Sequence, residues 1–126
     1  MALSLLLVED NARTRENIVQ ILKQTPFTVT IAVDGLDGLN RAKLEHFDVV
    51  LTDHKMPLMD GILLIKNLRD ETPYAQTPLL LMTTSDPEQI SAKAERCGAD
   101  LVLGKPLDAD LLLFKLRQLT QSSVVA

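Results

Sequence analysis

"DVVLTDHKMPLMDGILLIKNLRD", Asp48–Asp70, is the stretch from which the fold can be read. Asp48 to Thr52 is an almost uniformly apolar run, the mark of a strand covered on both faces and so central in a parallel sheet. Asp53 follows at once, then a loop through Met56-Pro57. Asp60 stands where a helix N-cap belongs, and Ile62 to Asp70 continues with helical spacing of its apolar residues. Strand, loop and helix make one βα unit.

The same unit recurs on either side. Leu3–Val8 reads as a buried strand, and Asn11 caps a helix to about Lys23 with Ile18, Ile21 and Leu22 on one face. Phe27–Val33 alternates apolar and polar, as a strand with one wet face or an edge position does. Asp34 begins a second helix, with Leu36 and Leu39 at helical spacing. Beyond the opening stretch, Pro78 leads into a strand at Leu79–Thr83. Asp86-Pro87 with Gln89 opens a fourth helix, which Gly98 ends. Leu101–Leu103 is a short fifth strand, and Asp108 caps a last helix from Ala109 to about Leu119. Five strands alternating with five helices predict an α/β fold: a flavodoxin-like, doubly wound, five-stranded parallel sheet in the order 2-1-3-4-5, with helices on two faces. Residues 1–121 form one domain on this reading, and 122–126 a tail or linker stump.

Bulk properties narrow the function. The chain has 126 residues, 46% hydrophobic and 24% charged, which suits one globular domain. A net charge of −4 argues against nucleic acid or an anionic membrane as the main partner. The lone Cys97 excludes an internal disulfide and a multi-cysteine metal site, and is expected as a small buried apolar side chain. The apolar run Leu5–Val8 is too short for a signal-peptide core or a membrane span, so a cytoplasmic location is expected.

Ligands of open parallel sheets bind at the carboxyl ends of the strands. There the first strand ends in Glu9-Asp10, the third in Asp53 and the fourth in Thr83, while Lys105 follows the fifth. Any one of these alone is an ordinary loop or cap residue. Together they bring three acids, a hydroxyl and an ammonium to one rim. Clustered carboxylates repel one another and hold protons or a cation. Hard oxygens with room for water suit Mg2+. Mg2+ and Lys105 would neutralise a transferring phosphoryl group, Thr83 would donate to it, and Asp53 is a natural nucleophile for an acyl phosphate.

The segments "LLLVEDN", "LTDHKMPLMDG", "LLLMTTS" and "GKPLD", in order and in register, closely resemble the signatures of the receiver domain of two-component response regulators. The resemblance covers nearly the whole chain. It implies that Asp53 accepts a phosphoryl group from a phosphohistidine on a histidine kinase or histidine phosphotransfer domain. It implies Mg2+ held by Asp10, Asp53 and the backbone carbonyl of Lys55, with Glu9 on a metal-bound water. Lys105 would pair with a phosphoryl oxygen, and its bond to Pro106 would be cis. Thr83 would move in to the phosphate, coupling modification to the fourth helix and fifth strand. Met56-Pro57 would shape the loop, and Gly61 would let the third helix start tightly. Such a domain catalyses its own aspartyl phosphorylation and dephosphorylation without being a turnover enzyme. A downstream protein would dock on the face of the fourth helix, fifth strand and fifth helix, and the phosphodonor beside Ala12, Arg13 and Arg15.

The chain departs from the family's pattern at several positions. Val102 replaces the aromatic that many receivers carry, as in receivers of hybrid sensor kinases and phosphorelays, which favours that setting over a stand-alone regulator. Thr84 adds bulk near Asp53, and Lys55 and Ser85 stand where phosphoryl lifetime is commonly tuned. His54 is expected to point away along the loop, and His46 has no assigned chemistry. The leucines of the last helix (Leu111, Leu112, Leu113, Leu116 and Leu119) are expected to be mostly core. An aspartyl-phosphate phosphatase would need an acid where Lys55 stands. A nucleotide or flavin binder would need a glycine- or hydroxyl-rich loop where "EDNARTRE" stands. The complete acid set argues against a degenerate receiver that only binds proteins.

Overall fold

The computed structural model describes residues 3–124, the side chains of residue 72 and of 121–124 excepted. Its elements run in the expected alternation: β1 (Leu3–Val8), α1 (Ala12–Leu22), β2 (Phe27–Ala32), α2 (Gly35–Leu44), β3 (Val49–Asp53), α3 (Gly61–Asp70), β4 (Leu79–Thr83), α4 (Pro87–Cys97), β5 (Leu101–Gly104) and α5 (Ala109–Val124). A 3-10 turn at Thr72–Tyr74 follows α3. All strand pairs are parallel, and the sheet order is β2-β1-β3-β4-β5. No helix among the described residues is long and apolar enough to cross a membrane.

Local chemistry accounts for the helix boundaries. The side chains of Asn11, Asp34 and Asp60 accept hydrogen bonds from the backbone N–H three residues on, and Asp86 accepts from Glu88 N. Asp108 accepts likewise from Leu111 N. Gly98 closes α4 with φ of 115°, a left-handed turn that glycine adopts without a Cβ penalty.

Side chains on the strands alternate between two cores. Leu6, Val8, Val50, Leu79 and Leu81 face α2, α3 and α4. Leu5, Leu7, Leu51, Met82 and Leu103 face α1 and α5. β3 and β4 are buried throughout, while β2 at the sheet edge is only partly covered.

Three readings of the sequence are revised, and the inner face of α2 is defined. Helix α2 turns Gly35, Gly38 and Ala42 inward, and leaves Leu36 exposed and Leu39 half-buried. The helix lies so close to its neighbours that a Cβ on Gly35 would meet the Met59 carbonyl oxygen at 2.0 Å. In α5 only Leu112 and Leu116 of the five leucines are fully buried, because the helix covers one side of the sheet and shows its other flank to solvent. That helix runs on to Val124, past the expected end near Leu119 and through most of the expected tail; residues 125 and 126 lie outside the described residues. Cys97 is half-buried, packed at the margin of the core as the last residue of α4.

Candidate functional site

Strand parity brings the site together. Glu9 continues the side of β1 that carries Leu5 and Leu7. Asp53 continues the side of β3 that carries Leu51, and Lys105 the side of β5 that carries Leu103. All three therefore emerge at the carboxyl end of the sheet on the α1/α5 face. They meet there: Lys105 Nζ donates to Glu9 Oε1 at 2.9 Å and to Asp53 Oδ1 at 3.1 Å. A cis peptide joins Lys105 to Pro106, as the resemblance implies.

The three acids differ in setting. Glu9 is fully buried, and its Oε2 accepts from Asn11 N at 3.2 Å. Asp53 is 8% exposed, and Asp10 is open to solvent. Glu9, Asp10 and Asp53 each bring a carboxylate oxygen within 4.8 Å of the others, a cluster that can hold a metal ion. One ammonium pairs with two of the three carboxylates, so the cluster is left net negative, and oxygen donors of this kind suit a hard divalent cation. The site opens into a cleft of about 610 Å³ lined by these residues with Thr14, His54, Lys55 and Thr84.

Burial pushes the Glu9 carboxyl above the ordinary carboxylate range, against the pull of the hydrogen bonds from Lys105 and Asn11 N. Burial also works against the charge on Lys105, but hydrogen bonds to Glu9 and Asp53 outweigh it and hold the ammonium above its usual pKa. Lys105 thus stays charged through the neutral range beside the carboxylate it would serve.

Thr83 does not join this group. It is 1% exposed and sits on the opposite parity, with Leu79 and Leu81, so Thr84 rather than Thr83 lines the cleft. Its Oγ1 accepts from Ser85 N at 3.0 Å and lies 2.9 Å from His54 Nδ1. This corrects the expectation for His54, which packs across β4 instead of pointing away along the loop. Asp53 is in register with Met82, and His54 N donates to Met82 O at 2.8 Å. One residue further, His54 and Thr83 fall side by side on the same face. Burial lowers the His54 pKa, with Asp60 opposing.

The remaining expectations fall as follows. Lys55 is exposed at the mouth of the cleft. Gly61 approaches Asp53 so closely that a Cβ would lie 2.0 Å from the Asp53 carbonyl oxygen. Val102 packs against the core under α2, α3 and α4. Ala12 and Arg13 are exposed, but Arg15 is half-buried and its Nη1 donates to the Glu9 carbonyl at 2.9 Å. Sequence reasoning missed this anchor of the acid loop. Arg15 follows Glu9 by six positions, and only the turn between β1 and α1 brings the two together.

The family described as the response regulator receiver domain matches residues 5–117. The transcriptional activator protein PfeR of Pseudomonas aeruginosa is 41% identical over 120 residues, covering 90% of this chain and 38% of that protein. Sensor protein EvgS of Escherichia coli K12 is 32% identical over 124 residues, covering 98% of this chain and 10% of that protein. The chain therefore spans well under half the length of either relative. Among solved structures, the chemotaxis response regulator CheY4 of Vibrio cholerae matches with a TM-score of 0.87 at 31% identity, over 94% of this chain and 99% of that one.

Proposed function

This chain belongs to the response regulator receiver domain family, and from that premise we propose that Asp53 takes a phosphoryl group from a phosphohistidine, with Mg2+ as cofactor. The observation that carries the reading is the Asp53 carboxylate at the open end of β3, with Lys105 Nζ 3.1 Å from it and the Glu9 and Asp10 oxygens grouped around it.

Asp10 and Asp53 would hold the ion by their carboxylates, with the Lys55 carbonyl, and Glu9 would order its water. When bound, Mg2+ neutralises charge on the phosphoryl oxygens. The chain's own groups do the rest. An Asp53 carboxylate oxygen forms the P–O bond while the P–N bond of the donor breaks, its electron pair staying on the imidazole. Lys105 moves from carboxylate to phosphoryl oxygen, keeping its charge at the reacting group. The sheet contributes by fixing the attacking oxygen, since phosphoryl transfer is governed chiefly by positioning and charge neutralisation.

The donor is a histidine kinase or histidine phosphotransfer domain docking beside the exposed Ala12 and Arg13. The downstream partner reads α4, β5 and α5, where Leu111 and Phe114 are exposed on α5. Val102, in place of the aromatic, supports a hybrid-kinase or phosphorelay setting, and we place the domain in the cytoplasm. Hydrolysis of the acyl phosphate is self-catalysed through the same groups.

Incubation with Mg2+ and acetyl phosphate, followed by intact-mass measurement, tests the reading. A single phosphoryl adduct is expected, dependent on Mg2+ and absent in Asp53→Asn. No adduct, or the same adduct in Asp53→Asn, would overturn it.

A further inference from the structure

The Thr83 hydroxyl already has a partner before any phosphoryl group arrives. It is buried on the α3/α4 side of the sheet, and Ser85 N–H occupies one of its lone pairs. Its own proton still needs an acceptor, since a buried hydroxyl gains no help from water. The acceptor within reach is His54 Nδ1 at 2.9 Å, which assigns the ring its Nε2–H tautomer. The backbone of His54 is pinned on both sides: His54 N donates to Met82 O at 2.8 Å, and His54 O accepts from Gly61 N at 2.7 Å. These bonds keep the His54 backbone beside Thr83, and the Thr83 side chain is the group that a phosphoryl group on Asp53 would draw away.

We propose that His54 is a positioning residue that holds the Thr83 hydroxyl away from the acid cluster, so that a phosphoryl group on Asp53 must win that hydroxyl from the imidazole. This rests on the reading of Asp53 as phosphoacceptor and adds a residue that opposes the switch. The register of β3 and β4 supplies the device: the residue after Asp53 lands beside Thr83, on the face opposite the carboxylate. The hydrogen bond exists only in the unmodified state, so its removal favours the modified one. Its net strength corresponds to roughly fivefold in the equilibrium.

The test uses beryllium fluoride with Mg2+ as a phosphoryl mimic, its affinity measured by calorimetry because the chain has no tryptophan to report binding. His54→Ala is expected to bind the mimic roughly fivefold more tightly than the unsubstituted chain. His54→Asn, whose amide reaches the position of Nδ1, is expected to restore the original affinity. His54→Gln, which reaches the position of Nε2, is expected to behave as His54→Ala. In a Thr83→Val background, His54→Ala is expected to change nothing. The imidazole nitrogen spectrum should report Nδ1 as an acceptor, and should shift in Thr83→Val. Equal affinity of His54→Ala and the unsubstituted chain, a difference that persists in Thr83→Val, or an unmoved imidazole spectrum would each overturn the proposal. Failure of the unsubstituted chain to bind the mimic, or equal binding by Asp53→Asn, would instead bring down the Asp53 reading and this inference with it.

Discussion

A methyl group on Gly61 would lie 2.0 Å from the Asp53 carbonyl oxygen and 2.8 Å from Leu81 Cδ1. No side chain fits there without moving the end of β3, and so the carboxylate. Gly61→Ala should cost about 1–3 kcal/mol of stability, as overpacking against backbone does. It should also slow Asp53 modification by acetyl phosphate. Urea unfolding and intact-mass time courses check the two effects, and an unchanged modification rate would separate helix entry from carboxylate placement. Other single residues divide by how local their cause is. Asn11, Asp34 and Asp60 are legible as caps because a cap bonds within its own turn. The burial of Glu9 is not, since it depends on Lys105, 96 positions away. His54 was open to a parity argument from Asp53, but only once the β3–β4 register is known.

Between elements, Tyr74 joins the end of α2 to the turn after α3. Its hydroxyl lies 2.8 Å from the Ala42 carbonyl and 3.0 Å from that of Glu45, and accepts from Phe47 N at 3.2 Å. The His46 ring stacks on it with centroids 5.0 Å apart, which gives that histidine a packing role. Tyr74→Phe keeps the ring and strands those backbone groups, at a cost of about 1–3 kcal/mol near neutral pH. Burial raises the phenol pKa, with the Phe47 N–H opposing. The folded chain therefore holds the proton more tightly than the unfolded one. The stabilisation is full below the ordinary value near 10 and is lost as pH rises through the higher folded value. Urea midpoints followed up to about pH 11 should fall less steeply in Tyr74→Phe than in the parent; parallel curves would remove Tyr74 from the alkaline limb. The inner face of helix α2 is not given by spacing alone. Leu36 and Leu39 stand at helical spacing, yet Leu36 is exposed and Leu39 packs only in part against the core; the closest approach to the sheet and the β3–α3 loop is made at Gly35 and Gly38.

Across the whole molecule, Arg69 ties successive βα units together. From α3 its Nη1 donates to Tyr74 O at 2.6 Å and Thr77 O at 2.7 Å, and its Nε to Gly98 O at 2.9 Å. Nη2 pairs with Asp100 Oδ2 at 2.8 Å, and the same oxygen accepts from Leu79 N. One guanidinium thus connects α3, the entry to β4 and the α4–β5 turn. Arg69→Met should lower stability by about 2–4 kcal/mol through the carbonyls it leaves unpaired. Arg69→Lys should recover little, because an ammonium cannot match the planar fork. Chemical denaturation of both variants measures this, and a lysine variant as stable as the parent would reduce Arg69 to a point charge.

Strand order, helix starts and the three carboxylates at the open edge were all readable along the chain. They follow from hydrophobic period, capping chemistry and the handedness of βα crossovers, which act over a few residues or hold for every such fold. The folded arrangement alone reveals that Thr83 faces His54 instead of the acids, that Glu9 is buried under Lys105, and that Arg15 and Arg69 hold backbone carbonyls. Those pairings depend on strand register and on how near two elements come, and residues far apart in the chain acquire such relations only when the layers pack.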